Sequence, residues 1–187
     1  MKNGSTGIRN IYEFAFYKCD KMTNCSLTFD DIAGGFIFKK AFRYCEALTS
    51  INLNNVVFLG EGVFSNCTKL VRVTNLTHGN ITTLPKMLFY NCSSLKYIDI
   101  PGNVRSIGDY AFENCRSLKE VDLDTCTADI NATMFKTCDS LEAFYVSYKN
   151  KRYSGGYGLI DKTTKTLVVG STNGNLGDKI INSNDYP

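Results

Sequence analysis

The sequence has no tryptophan, only three prolines and a single histidine in 187 residues. No run approaches the roughly eighteen apolar residues of a membrane span, and the segment 1–7 lacks the apolar stretch of a signal peptide. The one histidine, His78, lies in a polar stretch without an identifiable nucleophile beside it, so a solvent-exposed loop is the simpler interpretation. We therefore expect neither a membrane-spanning helix nor histidine-based catalysis.

Strong charge of either sign is also absent. The chain carries 21 Lys and Arg against 18 Asp and Glu, a net charge of +3. Positive side chains form no run and no patch studded with aromatics, which weighs against nucleic-acid binding. The glycine-rich stretch 155–158 is not followed by the Lys-Ser/Thr of a phosphate loop, so it predicts a turn.

The eight cysteines include no Cys-x-x-Cys pair and no zinc-ligand spacing. Six recur at one position of a repeat, which predicts buried free thiols that act as small apolar side chains, where a serine would lack a partner. Cys25 has the same interpretation. Cys126 alone stands outside the pattern, and a reactive or bridging role for it stays open as the lesser alternative.

A repeat organises the chain. Phe-x-x-Cys recurs six times, beginning at Phe16, Phe42, Phe64, Phe89, Phe112 and Phe135. Each copy continues into a short segment of alternating apolar residues, which predicts a half-buried strand. The inward pairs predicted for these strands are Cys25/Leu27, Ile51/Leu53, Val73/Asn75, Ile98/Ile100, Val121/Leu123 and Phe144/Val146.

A variable segment with a second apolar pair separates each strand from the next Phe. The pairs are Val56/Leu59, Ile81/Leu84, Val104/Ile107 and, less regularly, Ile32/Phe36. Length changes fall here, so we expect the loop-tolerant outer side of each coil. The Ala-Phe-x-x-Cys piece is too short for an α-helix and predicts one helical or 3₁₀ turn.

The unit Leu95–Leu118, LKYIDIPGNVRSIGDYAFENCRSL, resembles the BspA-type leucine-rich repeat. The resemblance implies an α/β-type leucine-rich-repeat solenoid with short parallel strands, turn-like or 3₁₀ outer segments and a C-terminal β-hairpin. We expect the solenoid to occupy residues 1–170 as six to seven coils, beginning inside a repeat, with a hairpin insertion at 153–169. Residues 171–187 are expected to be a polar cap, linker or tail.

Strand alternation stacks the outward side chains of successive coils on one face. Its second half gathers carboxylates and tyrosines, and the candidate ligand-binding residues are Arg72, Tyr97, Asp99, Glu120, Asp122 and Tyr145, with Asp124 beside them. Stacked carboxylates repel one another and gain from a positive ligand, so the patch suits a basic protein or a cation. The alternative is a solvated face that keeps the sheet soluble.

The resemblance implies a non-catalytic recognition or adhesion module, extracellular or on a cell surface, that binds a basic or host-derived protein and uses no cofactor. A rigid spacer or assembly piece of a larger surface protein is the second hypothesis. An enzyme, with a pocket at His78 or Cys126, is the third. Asn-x-Ser/Thr occurs seven times, and at Asn66 and Asn91 it belongs to the repeat turn, so we expect a structural role there rather than a glycan.

Overall fold

Each Phe-x-x-Cys unit forms one coil of a β-solenoid with almost no helix. The computed structural model describes residues 7–30, 32–76 and 80–171. Within them lie one 3₁₀ helix, Ala132–Phe135, and fourteen strands: β1 Asn10–Ile11, β2 Asn24–Cys25, β3 Gly35–Ile37, β4 Ser50–Asn52, β5 Val56–Leu59, β6 Arg72–Thr74, β7 Thr83–Leu84, β8 Tyr97–Asp99, β9 Ser106–Ile107, β10 Glu120–Asp124, β11 Ala143–Val146, β12 Tyr153–Ser154, β13 Gly158–Asp161 and β14 Thr166–Gly170. The predicted solenoid of short strands is confirmed.

A coil runs from a back strand through the Phe-x-x-Cys turn to a front strand. The front strands form two parallel sheets, β2-β4-β6 and β8-β10-β11, and the back strands form β1-β3-β5 and β7-β9. Side chains that point between front and back, such as Val121 and Leu123 on β10 and Ile107 on β9, are buried. We number the coils 1 to 6 by their Phe residues.

Both sheets break between coils 3 and 4, but the turns stay bonded across the break. The Phe64 N–H donates to the Leu88 carbonyl at 3.0 Å, and the Asn66 N–H donates to the Tyr90 carbonyl at 2.8 Å. The same coil-to-coil pattern joins Phe42 to Val63 and Phe89 to Ala111. A continuous ladder of backbone hydrogen bonds on the turn side therefore links the two halves.

The six repeat phenylalanines form one internal column, as the repeat predicts. Neighbouring ring centroids are 4.9 to 5.8 Å apart from Phe16 to Phe135, with interplanar angles of 3° to 22°. Phe42, Phe64, Phe89 and Phe112 are fully buried. Each ring obtains its apolar cover from the coils above and below, which is why one coil alone cannot bury its core.

The repeat cysteines are buried free thiols in coils 2 to 6, but they do more than fill space. The Cys115 Sγ lies 3.2 Å from the Phe89 carbonyl oxygen of the preceding coil, and the Cys138 Sγ lies 3.2 Å from the Phe112 oxygen. Cys45, Cys67 and Cys92 make the same bond. The expectation that a hydroxyl would lack a partner here is therefore wrong, because a carbonyl oxygen faces the site.

The turns are not helical in most coils. Coil 6 has the 3₁₀ helix, capped by the Asn131 side chain, which accepts a hydrogen bond from the Thr133 N–H. The other turns use pairs of left-handed residues four positions apart, such as Lys40 with φ 57° and Tyr44 with φ 63°. In such a turn every second N–H donates to the next coil, as from Lys40, Phe42 and Tyr44, which forms the ladder, and the N–H groups between them donate within the turn.

The predicted apolar pair Ile32/Phe36 is wrong, and the predicted inward pair Val73/Asn75 is half right, because Val73 is buried. Ile32 is 89% exposed and Phe36 is only half-buried, whereas Phe29 and Ile37 are buried in their place. Asn75 has φ 59°, so the chain bends there and Leu76 supplies the buried side chain. The remaining variable segments are not irregular: their predicted apolar pairs are buried, and the residues around them form the back strands.

The C-terminal hairpin caps the last coil. β12, β13 and β14 form an antiparallel sheet, so Leu167–Val169 pairs with β13 and does not extend the front sheet. The Phe144 and Gly156 backbones exchange hydrogen bonds of 2.8 and 2.9 Å, which covers the edge of β11. Tyr153 is buried, and its hydroxyl donates to the Ala128 carbonyl at 3.0 Å. The expected tail lies outside the described residues from 172 onward.

Candidate binding surface

The front face carries the candidate residues in two rows. Glu120 is the register partner of Tyr97 on one side and Ala143 on the other, and Asp122 is the register partner of Asp99 and Tyr145. The intervening residues Val121 and Ile98 point inward and are buried. Strand alternation thus brings five of the six predicted site residues together on the sheet β8-β10-β11, as expected from their spacing.

Arg72 lies on the other front sheet, at the start of β6. Its guanidinium carbon is 5.8 Å from the centre of the Tyr97 ring, across the break between coils 3 and 4. A cation over the face of a tyrosine ring is weakly attracted to it. Arg72 therefore borders the carboxylate patch without belonging to its sheet.

Asp99 and Asp122 face each other across adjacent strands. Parallel strands lie about 4.8 Å apart, so two carboxylates in register repel when both are charged. Partial burial raises the pKa of Asp99, and the charge of Asp122 raises it further. A cation placed between them would relieve the repulsion.

Asp124, the last residue of β10, lies at the edge of the carboxylate patch formed by Asp99, Glu120 and Asp122. Its N–H donates to the Asp122 Oδ1 at 2.8 Å, and its own φ is 41°, so the strand bends away after Asp122. An open cleft of about 360 Å³ lies beside this bend and is lined by Asp99, Ile100, Pro101, Gly102, Asn103, Asp122 and Asp124. Only glycine lets the backbone at position 102 lie this close to the Thr125 side chain, because a Cβ there would be 2.2 Å from the Thr125 Oγ1.

The residues that the structure describes do not form a metal-binding site. No group of three or more His, Cys, Asp and Glu side chains among them could hold a metal ion. The cation alternative for the patch therefore rests on charge alone. His78 lies outside the described residues.

Cys126 is a core residue. It is fully buried, and its Sγ lies 3.7 Å from the Val104 carbonyl oxygen. Burial raises the pKa of the thiol, which lowers the fraction of reactive thiolate. Its position next to the buried Ala128 and Ile130 shows that it replaces a back-strand apolar residue in coil 6.

The repeat asparagines have structural partners. Asn66 and Asn91 occupy left-handed positions with φ 64° and 57°, which Asn tolerates better than most residues. The Asn91 Nδ2 donates to the Asn66 Oδ1 at 2.9 Å, and the Asn66 Nδ2 donates to the Ser65 Oγ at 3.0 Å. These bonds favour the structural interpretation of the two sequons.

A second surface was not predicted. On the outward side of the back strands, Tyr12, Phe36, Phe38 and Phe58 form a ladder whose centroids are 5.7 to 6.5 Å apart. The predicted apolar pair Ile32/Phe36 missed it. Phe36, Ile37 and Phe38 are all apolar, so their order in the sequence does not show that Ile37 is the buried one.

The repeats of this chain match a known family of repeat proteins. Residues 3–74 and 35–157 match the model described as BspA type leucine rich repeat region (6 copies). A search of curated proteins gives no significant match. No helix among residues 7–30, 32–76 and 80–171 is long and apolar enough to cross a bilayer.

Three solved structures are similar. A leucine rich cell surface protein from Faecalibacterium prausnitzii A2-165 is 26% identical with a TM-score of 0.60, over 82% of this chain and 35% of that one. The Treponema pallidum leucine rich repeat protein is 28% identical with a TM-score of 0.57, over 64% of this chain and 56% of that one. A leucine-rich repeat protein from Bacteroides ovatus ATCC 8483 is 30% identical with a TM-score of 0.54, over 75% of this chain and 33% of that one.

This chain thus spans roughly a third to just over half of the structures that it resembles. Repeats of this type generally mediate protein interactions, and proteins built from them are typically non-catalytic. The repeat column, the cysteine pattern and the family match agree along most of the sequence. The chain belongs to the BspA-type leucine-rich-repeat family.

Proposed function

We propose that this chain is the recognition module of an extracellular or cell-surface protein, and that it binds a basic protein segment through its front face. The observation that carries the proposal is the grouping of Asp99, Glu120, Asp122 and Asp124 on one parallel sheet. Within the described residues no lysine or arginine forms a salt bridge with any of the four. The carboxylates are available for a cationic partner.

The tyrosines supply contact area beside the charge. Tyr97 and Tyr145 flank the carboxylates on β8 and β11, and Tyr145 is 42% exposed. Tyrosine buries a large ring at a low cost in side-chain entropy and offers a hydroxyl for hydrogen bonding. A ligand with lysine or arginine next to an apolar residue would fit both components. The adhesion role inferred from the resemblance would follow if that ligand is a host or matrix protein.

A displayed library of random peptides, selected on the immobilised chain, tests the proposal. We expect the selected peptides to be rich in Lys and Arg and to bind the D99N/E120Q/D122N variant at least about tenfold more weakly, with a loss of affinity at high salt. The matched control E13Q/D20N/E46Q removes three exposed carboxylates elsewhere and should bind like the wild type.

Two results would overturn the proposal. One is selection of peptides without basic residues, and the other is equal binding by the triple variant and the wild type. In either case the front-face charges serve solubility, and the structural spacer becomes the better hypothesis.

A further inference from the structure

The first two coils and the back strand of the third present an aromatic surface away from the front face. We call it the N-terminal aromatic surface; its members are Tyr12, Phe14, Tyr17, Phe38, Tyr44 and Phe58. Tyr12 is 68% exposed, Phe14 47% and Phe58 42%. Contiguous exposed aromatic side chains are uncommon on a soluble domain and mark interaction surfaces.

The rings form two groups, Tyr12-Phe38-Phe58 and Phe14-Tyr17-Tyr44, and the rings within each group pack against one another. Tyr12 stacks on Phe38 with centroids 5.7 Å apart and an interplanar angle of 7°. Phe14 packs edge-on to Tyr17 at 5.5 Å, and Tyr17 packs edge-on to Tyr44 at 5.7 Å. A surface ordered in this way loses little side-chain entropy when a partner covers it.

Cations border these rings. Lys18 Nζ is 5.6 Å from the Tyr17 ring centre, Lys40 Nζ is 5.8 Å from that of Phe14, and the Arg43 guanidinium carbon is 4.9 Å from that of Tyr44. Within the described residues none of the three cations forms a salt bridge. Lys18 is exposed, whereas Lys40 and Arg43 are half-buried and the Arg43 Nε is buried. The surface therefore combines apolar edges with positive charge that is most accessible at Lys18.

The feature is confined to the N-terminal coils. The turn position of Tyr44 is occupied by Asn66, Asn91 and Asn114 in the next three coils, each with a left-handed φ. On the back strands of coils 4 and 5 the outward residues are Thr83 and Ser106, whose hydroxyls are bonded at 3.2 Å. The fold itself does not require aromatic or cationic side chains at these positions.

We propose that the N-terminal aromatic surface binds the front-face carboxylate patch of a second copy of the chain. This inference rests on the proposed function, because it names a partner for the same patch. The two surfaces are complementary: one carries Lys18, Lys40 and Arg43 among aromatic rings, and the other carries Asp99, Glu120 and Asp122 beside Tyr97 and Tyr145. Opposite charges also guide the two copies together before they make contact.

The repeat favours this pairing. Lys18 and Arg43 lie on adjacent coils that are joined by a backbone bond of 2.9 Å, and Asp99 and Asp122 lie on adjacent strands in register. One coil step separates Lys18 from Arg43, and one separates Asp99 from Asp122, so these two pairs share the spacing of the repeat. The two surfaces lie in different coils and on different sides of the solenoid, so the contact is between molecules and not within one.

Such a contact is head-to-tail. The assembly keeps one unused aromatic surface at one end and one unused carboxylate patch at the other, so association continues beyond the dimer instead of closing on itself. We expect open, salt-sensitive oligomers whose size increases with protein concentration.

Sedimentation velocity on the full 187-residue chain tests the proposal. In about 25 mM NaCl we expect the average size of the oligomers to increase with protein concentration up to about 1 mM. In about 500 mM NaCl the association constant should be at least about tenfold lower. Y12S/F58S/K18Q and D99N/E120Q/D122N should each be monomeric. Their equimolar mixture should form a dimer and nothing larger, because only one functional pair of surfaces remains. Dimer formation would also show that both variants are folded.

A matched control changes the same residue types elsewhere. Tyr148 and Tyr157 are 81% and 55% exposed, and Lys149 Nζ lies 5.5 Å from the Tyr148 ring centre. The variant Y148S/Y157S/K149Q should associate like the wild type. If it loses association as the N-terminal variant does, general loss of exposed aromatics is the cause, and the proposal is wrong.

Other outcomes also decide the matter. A wild-type chain that stays monomeric at all concentrations overturns the inference, as does association that D99N/E120Q/D122N leaves intact. If the wild type is monomeric but sediments with vesicles of phosphatidylcholine and phosphatidylglycerol, and Y12S/F58S/K18Q does not, the surface faces a lipid and not a second copy. Each of these results leaves the peptide selection on the front face unaffected, so the two proposals can fail separately.

Discussion

The thiol of Cys115 donates a hydrogen bond to the Phe89 carbonyl oxygen, 3.2 Å away in the preceding coil. The same oxygen also accepts the Cys92 N–H at 3.1 Å. Cysteine at this position thus fills a small apolar site and satisfies the second lone pair of a buried carbonyl. Burial raises the pKa of the Cys115 thiol and raises that of Cys138 to about 12, so these two thiols remain protonated donors at neutral pH.

This relationship predicts the order of substitutions at Cys115. Cys115→Ala removes the donor and leaves a small void, so it should lower the free energy of unfolding by about 1–3 kcal/mol. Cys115→Ser keeps a donor and should cost less. Urea unfolding of the two variants measures both values. A serine variant that is clearly less stable than the alanine variant would contradict a functional hydrogen bond.

The phenylalanine column predicts a contrast between two aromatic residues. Phe112 is fully buried between Phe89 and Phe135, and Phe112→Ala should lower the free energy of unfolding by about 3–5 kcal/mol. Phe58 is 42% exposed on the back face, and Phe58→Ala should cost less than about 1 kcal/mol. Chemical denaturation compares the two. Equal losses would mean that the column does not carry the core.

The carboxylate pair predicts a titration shift. Burial and the charge of Asp122 raise the pKa of Asp99, so Asp122→Asn should bring that pKa partly back toward its usual value, with the effect of burial remaining. Asp124→Asn should move it less. Carbon-13 NMR of the Asp99 carboxyl group follows the titration. An unchanged pKa in the Asp122 variant would show that the two charges do not interact.

The same shift has a consequence for stability. A raised pKa means that folded Asp99 holds its proton more tightly than the unfolded chain does. Its stabilising contribution is present below the usual aspartate pKa of about 4 and is lost as the pH rises through the raised value. Asp99→Asn should therefore gain stability relative to the wild type as the pH increases from about 3 to about 6. Thermal unfolding across this range checks the sign.

The C-terminal cap has the opposite pH dependence. Burial alone would raise the pKa of Asp161, but hydrogen bonds from Arg152, Thr164 and Thr163 outweigh it and lower the pKa. Its contribution is therefore present above the usual aspartate pKa and is lost as the pH falls through the lowered value. Asp161→Asn should lower the melting temperature at pH 7 and make it less sensitive to acid. A variant with the wild-type acid profile would show that Asp161 does not hold the cap.

The placement of the candidate residues on one face could be predicted, because it depends on strand alternation alone. Alternation along β10 places Glu120 and Asp122 outward, and the repeat register then aligns them with Tyr97 and Asp99. The aromatic surface was not predictable in the same way. Phe36 and Ile37 are both apolar, and only the packing of the first coils shows that Ile37 is the buried one.

The repeat, the phenylalanine column and the buried cysteines of coils 2 to 6 could be predicted from the sequence alone, because each coil packs on neighbours with the same apolar pattern and the period of 22 to 26 residues is visible without coordinates. The tertiary structure was needed to show that the variable segments pair as back strands, that the thiols bond to carbonyls of the preceding coil, and that β14 pairs with β13 instead of extending the front sheet. The first two features depend on contacts between different coils, and the direction of a side chain in a two- or three-residue strand is set by its neighbours rather than by its own pattern.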